Sequence, residues 1–193
     1  MYKSIKYRVP EKITQAVAEF LSSHNIANRG EFDGSYQNQF DGKVGECVVY
    51  SRLFKKMLNL NGGDGFDGGV DIRYKGFTID VKTMGRKTYT RDSSANNFTD
   101  LQKKYPTDIL VFCSFNKKEN ILEICGWIFK CELEEKGLFR SKGSSVMRGD
   151  GLSFICDTDM WEVSNDKLYP FSYLESYESD TLKKVQCDRI NKR

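Results

Sequence analysis

The sequence is poor in the residues that build zinc sites, and it lacks any long apolar run. It contains one histidine and no C-x2-C pair, which argues against a structural zinc site. We find neither a secretory signal peptide nor a run of about 18 apolar residues, so we expect a cytoplasmic protein without membrane spans. The cysteines are scattered through apolar stretches, which favours free, buried thiols over a disulfide framework. They are Cys47, Cys113, Cys125, Cys131, Cys156 and Cys187.

Charge of one sign is not in excess either, because 30 basic residues stand against 27 acidic ones for a net charge of +3. This balance alone gives no case for nucleic-acid binding. The distribution is uneven, since basic side chains gather in residues 84–104 whereas residues 157–180 are acidic. At 193 residues, 39% of them hydrophobic, the chain predicts a single domain over residues 1–193 with a basic, solvated tail at about 181–193.

Two helices are predicted in the first third of the chain. Apolar residues recur at helical spacing over about 10–28, where His24 continues the apolar stripe and is expected to be packed instead of catalytic. A second helix is predicted within residues 40–60, with an apolar face. Glu46 lies beside that face, so we expect a half-buried carboxylate with a partner. The face consists of Val44, Cys47, Val48, Ser51, Phe54 and Leu58.

Two strand hairpins are predicted after these helices. The first has a tight turn at Lys75 and Gly76, and a charged turn joins the strands of the second. A long polar stretch separates the hairpins, and one or two short strands and a surface helix are expected in the remainder. The four strand segments are VDIRY, FTIDVKT, DILVFCSF and ILEICGWIFKCEL.

The first hairpin brings two acidic residues together. With the turn at Lys75 and Gly76, Asp71 lies opposite Asp80, at about 5 Å. Two charges at that distance repel by about 3 kcal/mol at an effective dielectric near 20. A divalent cation between the carboxylates would reverse this repulsion, and hard oxygen ligands suit magnesium or manganese. The alternative is a solvated strand face. Alternation places five polar side chains on that face: Asp71, Arg73, Thr78, Asp80 and Lys82.

This arrangement resembles the PD-(D/E)XK nuclease superfamily, which includes restriction endonucleases. The resemblance rests on VD, on DVK nine residues after that aspartate, and on a preceding helix that contains GE. It covers about residues 40–130, with Val70 in place of the motif proline, and GWIFKCELEEKG is similar to small phage-type members. The matching residues are Asp71 and Asp80 as the two acids, Lys82 as the motif lysine and Glu46 as the helical acid.

The resemblance implies an α/β protein with a restriction-endonuclease-like, three-layer αβα core around a mixed central β-sheet. It further implies hydrolysis of phosphodiester bonds with Mg²⁺, for which Mn²⁺ could substitute. Asp71, Asp80 and the carbonyl of Val81 would hold the metal, with Glu46 bound directly or through water. Lys82 would orient the attacking hydroxide, because action as a base would require its pKa to fall by about 3 units.

The implied partner is nucleic acid, DNA more than RNA, and the implied enzyme is a DNA endonuclease. The basic stretch after Lys82 is interpreted as closing over nucleic acid, the alternative being a solvated loop. Two other functions stay open: an inactive nuclease-fold module that binds nucleic acid or protein, and a hydrolase of another phosphoester. The oligomeric state is also open, a homodimer included. The expected nucleic-acid contacts are Arg73, Arg86, Lys87 and Arg91.

Overall fold

A mixed five-stranded sheet forms the centre of the fold. The computed structural model describes residues 4–23, 35–60, 68–147, 153–178 and 180–183. The elements are β1 (Ile5–Arg8), α1 (Glu11–Ser23), α2 (Tyr36–Phe54), β2 (Ile72–Tyr74), β3 (Phe77–Arg86), β4 (Ala95–Thr99), β5 (Ile109–Asn116), β6 (Ile121–Phe129), α3 (Leu133–Lys136), β7 (Leu138–Arg140), β8 (Ser145–Met147), β9 (Ser153–Ile155), β10 (Met160–Ser164) and α4 (Phe171–Ser176). In the central sheet the strand order is β1-β6-β5-β3-β2.

The strands β3 and β5 pair in parallel, and every other pair in the central sheet is antiparallel. Strand β5 lies in the middle and all of its residues are buried, which fits its nearly continuous apolar sequence. The predicted hairpin of β5 and β6 is confirmed. The parallel pair brings Asp80 beside Leu110, so the candidate acid lies next to the most buried strand.

The hairpin of β2 and β3 confirms the predicted turn but corrects the predicted pairing of the aspartates. Lys75 and Gly76 have φ angles of 51° and 81°, as a two-residue hairpin turn of this hand requires. The regular ladder ends at Ile72, which pairs with Ile79. The Asp71 N–H donates to the Ile79 carbonyl at 2.9 Å, one position out of register, so the aspartates are not regular cross-strand partners.

Helices cover one face of the central sheet. The predicted N-terminal helix is observed as α1, and residue 24, where a packed histidine was expected, lies outside the described residues. Helix α2 begins after Ser35, whose hydroxyl accepts from the Asn38 N–H, and it ends before Lys55 in the left-handed region. The buried side chains that α1, α2 and α4 place on this face include Ile13, Val17, Phe20, Val44, Val48, Phe171 and Leu174.

The opposite face is covered mainly by a second sheet, which differs from the expected αβα arrangement. Strands β4, β10 and β7 form this sheet. Among the described residues, the single turn of α3 is the α-helix that joins it in the apolar cluster on this face. The apolar cluster between the two layers consists of Phe98, Leu110, Phe112, Cys125, Ile128, Leu133 and Val163. The architecture is therefore α/β with a mixed central sheet, one helical layer and one mostly β layer.

The polar stretch over residues 84–104, predicted as a loop, contains regular structure. It includes the end of β3, all of β4 and a 3₁₀ helix at Asp100–Lys104. Strand β1 was not predicted from the sequence. Five cysteines are free thiols, four of them buried, and Cys187 falls outside the described residues. Within the described ranges, no helix has the length and apolar character of a membrane span.

Candidate functional site

A glycine lets α2 approach β3 and thereby positions Glu46. A Cβ atom at Gly45 would lie only 1.9 Å from the Thr83 Oγ1 atom, so the helix backbone packs directly on this strand. The next residue is Glu46, whose side chain is 14% exposed. Its Oε2 atom lies 2.5 Å from the Lys43 Nζ atom. The expectation of a carboxylate with a partner is confirmed, and Lys43 is one partner, although the side chain is more buried than the predicted half.

Asp71 lies where the charges of the site converge. Its Oδ2 atom accepts a hydrogen bond from the Val81 N–H at 2.7 Å, which fixes the carboxyl group against β3. Burial, followed by the charges of Glu46 and Asp80, raises the pKa of Asp71 well above its usual value. Lys82 and the Val81 N–H only partly oppose this rise. The fold therefore disfavours ionisation of Asp71 in the absence of an added cation.

Asp80 and Lys82, two residues apart on β3, form a close ion pair. The Lys82 Nζ atom lies 2.6 Å from the Asp80 Oδ1 atom, and Asp80 is buried. The same ammonium lies 5.8 Å from the centre of the Phe98 ring. Burial lowers the pKa of Lys82, but the carboxylates of Asp80 and Asp71 outweigh it and raise the pKa above its usual value. Lys82 therefore keeps its proton at neutral pH.

The four predicted residues come together around one edge of the sheet, from three elements. Helix α2 supplies Glu46, the residue before β2 is Asp71, and β3 supplies Asp80 and Lys82. The charge of Glu46 acts on both Asp71 and Lys82, which links the helical acid to the hairpin residues. Val81 lies between Asp80 and Lys82 in sequence, with its side chain in the helix-facing core and its backbone paired with Val111.

These carboxylates have the chemistry of a divalent-cation site, although ammonium groups occupy two of them. Within the described ranges, no three acidic, histidine or cysteine side chains converge as a preformed metal cluster. Lys43 lies on Glu46 and Lys82 lies on Asp80, while Asp71 resists ionisation. Hard carboxylate oxygens suit magnesium, and a cation would relieve the crowding that raises the pKa of Asp71. The donor set fits this metal.

Two lysines beside the site were not predicted from the sequence. Lys130 follows β6, and its pKa is lowered by burial, with Asp80 opposing and Lys82 reinforcing the effect. Its ammonium donates to the Tyr105 carbonyl. No local pattern indicates this position, because it depends on the pairing of β6 with β5 and of β5 with β3. Lys43 could have been found, since it precedes Glu46 by three residues on a predicted helix.

The expected nucleic-acid contacts are not gathered at the acids. Arg73 is exposed on β2, opposite Thr78 and near the site. Lys87 and Arg91 are exposed, but they follow the far end of β3, about 20 Å along the strand from Asp80. Arg86 is half-buried, and its guanidinium donates to the Ala95 carbonyl, so it ties β3 to β4.

Comparison with known proteins found no family model, no curated protein and no solved structure that matches the chain. The sequence motif and the arrangement of Glu46, Asp71, Asp80 and Lys82 are therefore the features that indicate a function.

Proposed function

We propose that this protein is a magnesium-dependent nuclease that hydrolyses phosphodiester bonds, most simply a DNA endonuclease. One observation carries the proposal: the like charges of Glu46 and Asp80 both act on Asp71, beside the ion pair of Asp80 and Lys82. A fold without a ligand gains nothing from such crowding. The resemblance of the motif to PD-(D/E)XK nucleases supports the same function, and the restriction-endonuclease-like fold is part of the proposal.

Each residue of the site has a distinct role in this function. Asp71 and Asp80 would hold the metal with the Val81 carbonyl, and Glu46 would complete the shell directly or through water. A bound magnesium ion supplies a water of lowered pKa and neutralises charge on the phosphate. The bond from the Val81 N–H fixes one oxygen of Asp71 and thereby orients its carboxyl group.

Lys82 acts as a cation in this function, not as a base. Its raised pKa keeps the ammonium charged beside Asp80. A charged donor held in place by the fold stabilises negative charge that develops on the phosphate in the transition state. Because Asp80 is buried, removal of either partner leaves an uncompensated charge. Substitutions that preserve shape keep the packing but not the charge balance, so the folding of each variant is checked before its activity is compared.

The test is cleavage of supercoiled plasmid, linear duplex, single-stranded DNA, RNA and a four-way junction, each with magnesium or with chelator. We expect magnesium-dependent cleavage of a DNA substrate by the wild-type protein. Asp80→Asn and Lys82→Met should each reduce the rate by about 100-fold or more. Lys118→Met is the control, because Lys118 is exposed on the turn between β5 and β6. Wild-type rates in Asp80→Asn would refute the proposed site.

The closed ion pairs favour one alternative, a nuclease-fold module that binds nucleic acid or protein without cleavage. Lys43 on Glu46 and Lys82 on Asp80 satisfy two acids without any metal. Such a module would bind nucleic acid equally well with magnesium or chelator and would cleave no substrate. Binding and cleavage measured on the same substrates distinguish the two functions.

A further inference from the structure

Lys43 contacts the candidate metal ligand on α2. Its Nζ atom lies 2.5 Å from the Glu46 Oε2 atom, and the two side chains are only 17% and 14% exposed. We propose that Lys43 is the built-in counter-ion of the metal-free site, which competes with a divalent cation for Glu46 and so sets the metal concentration to which the protein responds. This inference rests on the metal site of the proposed function.

The charge arrangement supports this role. Lys82 neutralises Asp80 from β3, and Lys43 neutralises Glu46 from α2. The Glu46 side chain is only 14% exposed, so its carboxylate lies largely away from solvent, and its charge acts on Asp71 and Lys82. A divalent cation that used Glu46 would therefore approach the Lys43 ammonium closely. The lysine must then leave the carboxylate, or the bound cation must tolerate a like charge beside it.

An ordinary helix pair is the competing explanation, and the same helix offers a matched comparison. Exposed pairs three or four residues apart contribute only a few tenths of a kcal/mol to helix stability, and they influence nothing beyond the helix. Asp41 on α2 also has a lysine partner, Lys117 at 3.1 Å, whose side chain is 39% exposed. Asp41 is not among the charges that act on Asp71 or Lys82. Loss of Lys117 should therefore leave the metal response unchanged.

The experiment is thermal unfolding of the chelator-treated protein during titration with magnesium or manganese, repeated by calorimetric titration. The variants are Lys43→Met, Lys43→Gln, Lys43→Arg, Lys117→Met, Glu46→Gln and Asp80→Asn. Lys43→Met should reach half-maximal stabilisation at a metal concentration about fivefold to tenfold lower than the wild type. Lys43→Gln should shift in the same direction if the methionine variant folds poorly. Lys43→Arg and Lys117→Met should respond at the same metal concentration as the wild type.

The outcomes separate this inference from the proposed function. If the wild type responds to metal, and Glu46→Gln and Asp80→Asn weaken the response, the site is real. An unchanged or weaker response of both neutral Lys43 variants then overturns the counter-ion role alone. If the wild type does not respond, or if Asp80→Asn responds fully, the metal site itself is refuted and the role of Lys43 with it.

Discussion

Asp71 differs from the other acids of the site because its partner is a backbone N–H and not a lysine. The bond from the Val81 N–H satisfies one oxygen, whereas Glu46 and Asp80 contribute like charges. Burial is the largest cause of the raised pKa of Asp71, these like charges raise it further, and Lys82 lowers it only in part. This residue should therefore report most directly on whether a cation enters the site.

Asp71→Asn tests this directly. The amide oxygen can still accept from the Val81 N–H, while the opposed charge disappears. Without metal, the variant should be at least as stable as the wild type near neutral pH. With magnesium, it should lose most of the rise in melting temperature that a ligand of the folded state produces. The measurement is thermal unfolding with and without metal.

Asp92→Asn is the control for Asp71→Asn, because it removes one negative charge from an exposed position. A full metal response in Asp71→Asn would mean that the cation binds elsewhere. The solvated-face interpretation of the hairpin would then be preferred.

At the residue scale, the sequence predicted which side chains meet but not how they meet. The phase of the helix and the turn at Lys75 brought Glu46 and the hairpin acids to one region. The bond between Asp71 and Val81 was not predictable, because it depends on where the ladder of β2 ends. Lys130 was missed for a related reason, since only non-local strand pairing brings it near Asp80.

At the scale of elements, the contact between α2 and β3 determines where Glu46 lies. The two elements approach so closely at Gly45 that a side chain there would collide with Thr83. A glycine within a helix is unfavourable by about 0.5–1 kcal/mol relative to alanine. The close packing of α2 against Thr83 therefore explains the glycine at position 45. The same helix contains Gly42, where a Cβ atom would meet nothing within 4 Å. The two glycines form a matched pair.

Gly45→Ala should destabilise the protein, and Gly42→Ala should stabilise it. Overpacking typically costs about 1–3 kcal/mol, more than the gain in helix propensity, so we expect a net loss of about 1–2 kcal/mol at Gly45. Thr83 is β-branched and has little freedom to rotate away. Gly42→Ala should gain about 0.5–1 kcal/mol. Urea denaturation measures both values, and equal effects of the two substitutions would contradict the packing argument.

The elements with strong local patterns were predicted well. Both N-terminal helices, the hairpin of β2 and β3 and the hairpin of β5 and β6 follow from periodicity and turn residues. The end of α2 was predicted too late, because the helix ends at Phe54 and Leu58, predicted on its apolar face, lies beyond it. Strand β4 was not predicted, because it is short and polar, with Asn96 and Asn97 among its five residues. Strand β10 lies in the remainder, where one or two short strands were predicted, but its pairing with β4 was not predicted. Their pairing with each other supplies the stability that their own sequences do not indicate.

On the scale of the whole molecule, the non-helical face is the main difference from expectation. A second sheet assembled from β4, β7 and β10 requires segments that are distant in the chain, and no local signal reports such pairing. The resulting layer packs Phe98 and Val163 against the central sheet. Asp80 is consequently buried and Lys82 half-buried beneath a second layer, whereas alternation alone predicted only a shared polar face.

The pH dependence of the free energy of unfolding should reveal the titration of Asp41. This residue of α2 lies close to the end of β3 and to the turn after β5. Burial raises its pKa above the usual value of 3.8, with Lys117 and Gln37 opposing the rise. The folded protein therefore holds this proton more tightly than the unfolded chain, so the contribution of Asp41 to stability falls as pH rises from about 4. Asp41→Asn removes this contribution. Its stability relative to the wild type should increase between pH 4 and 7.

Urea denaturation at several pH values measures this difference. Lys117→Met is the companion variant, because removal of the cation should raise the pKa of Asp41 further and extend the loss of stability to higher pH. A constant difference between Asp41→Asn and the wild type across this range would show that Asp41 titrates normally in the folded state.

The pairing of β1 with β6 has a consequence for synthesis on the ribosome. Ser4 and Glu123, which are hydrogen-bonded at this junction, are separated by 119 positions in the chain. At about 5–20 residues per second, β1 leaves the ribosome about 6–24 s before its partner strand is made. Helix α1 follows β1 directly and packs on the same sheet, so it waits as well. This segment of the nascent chain therefore has apolar residues without their final partners for many seconds, which is when a chaperone would bind it.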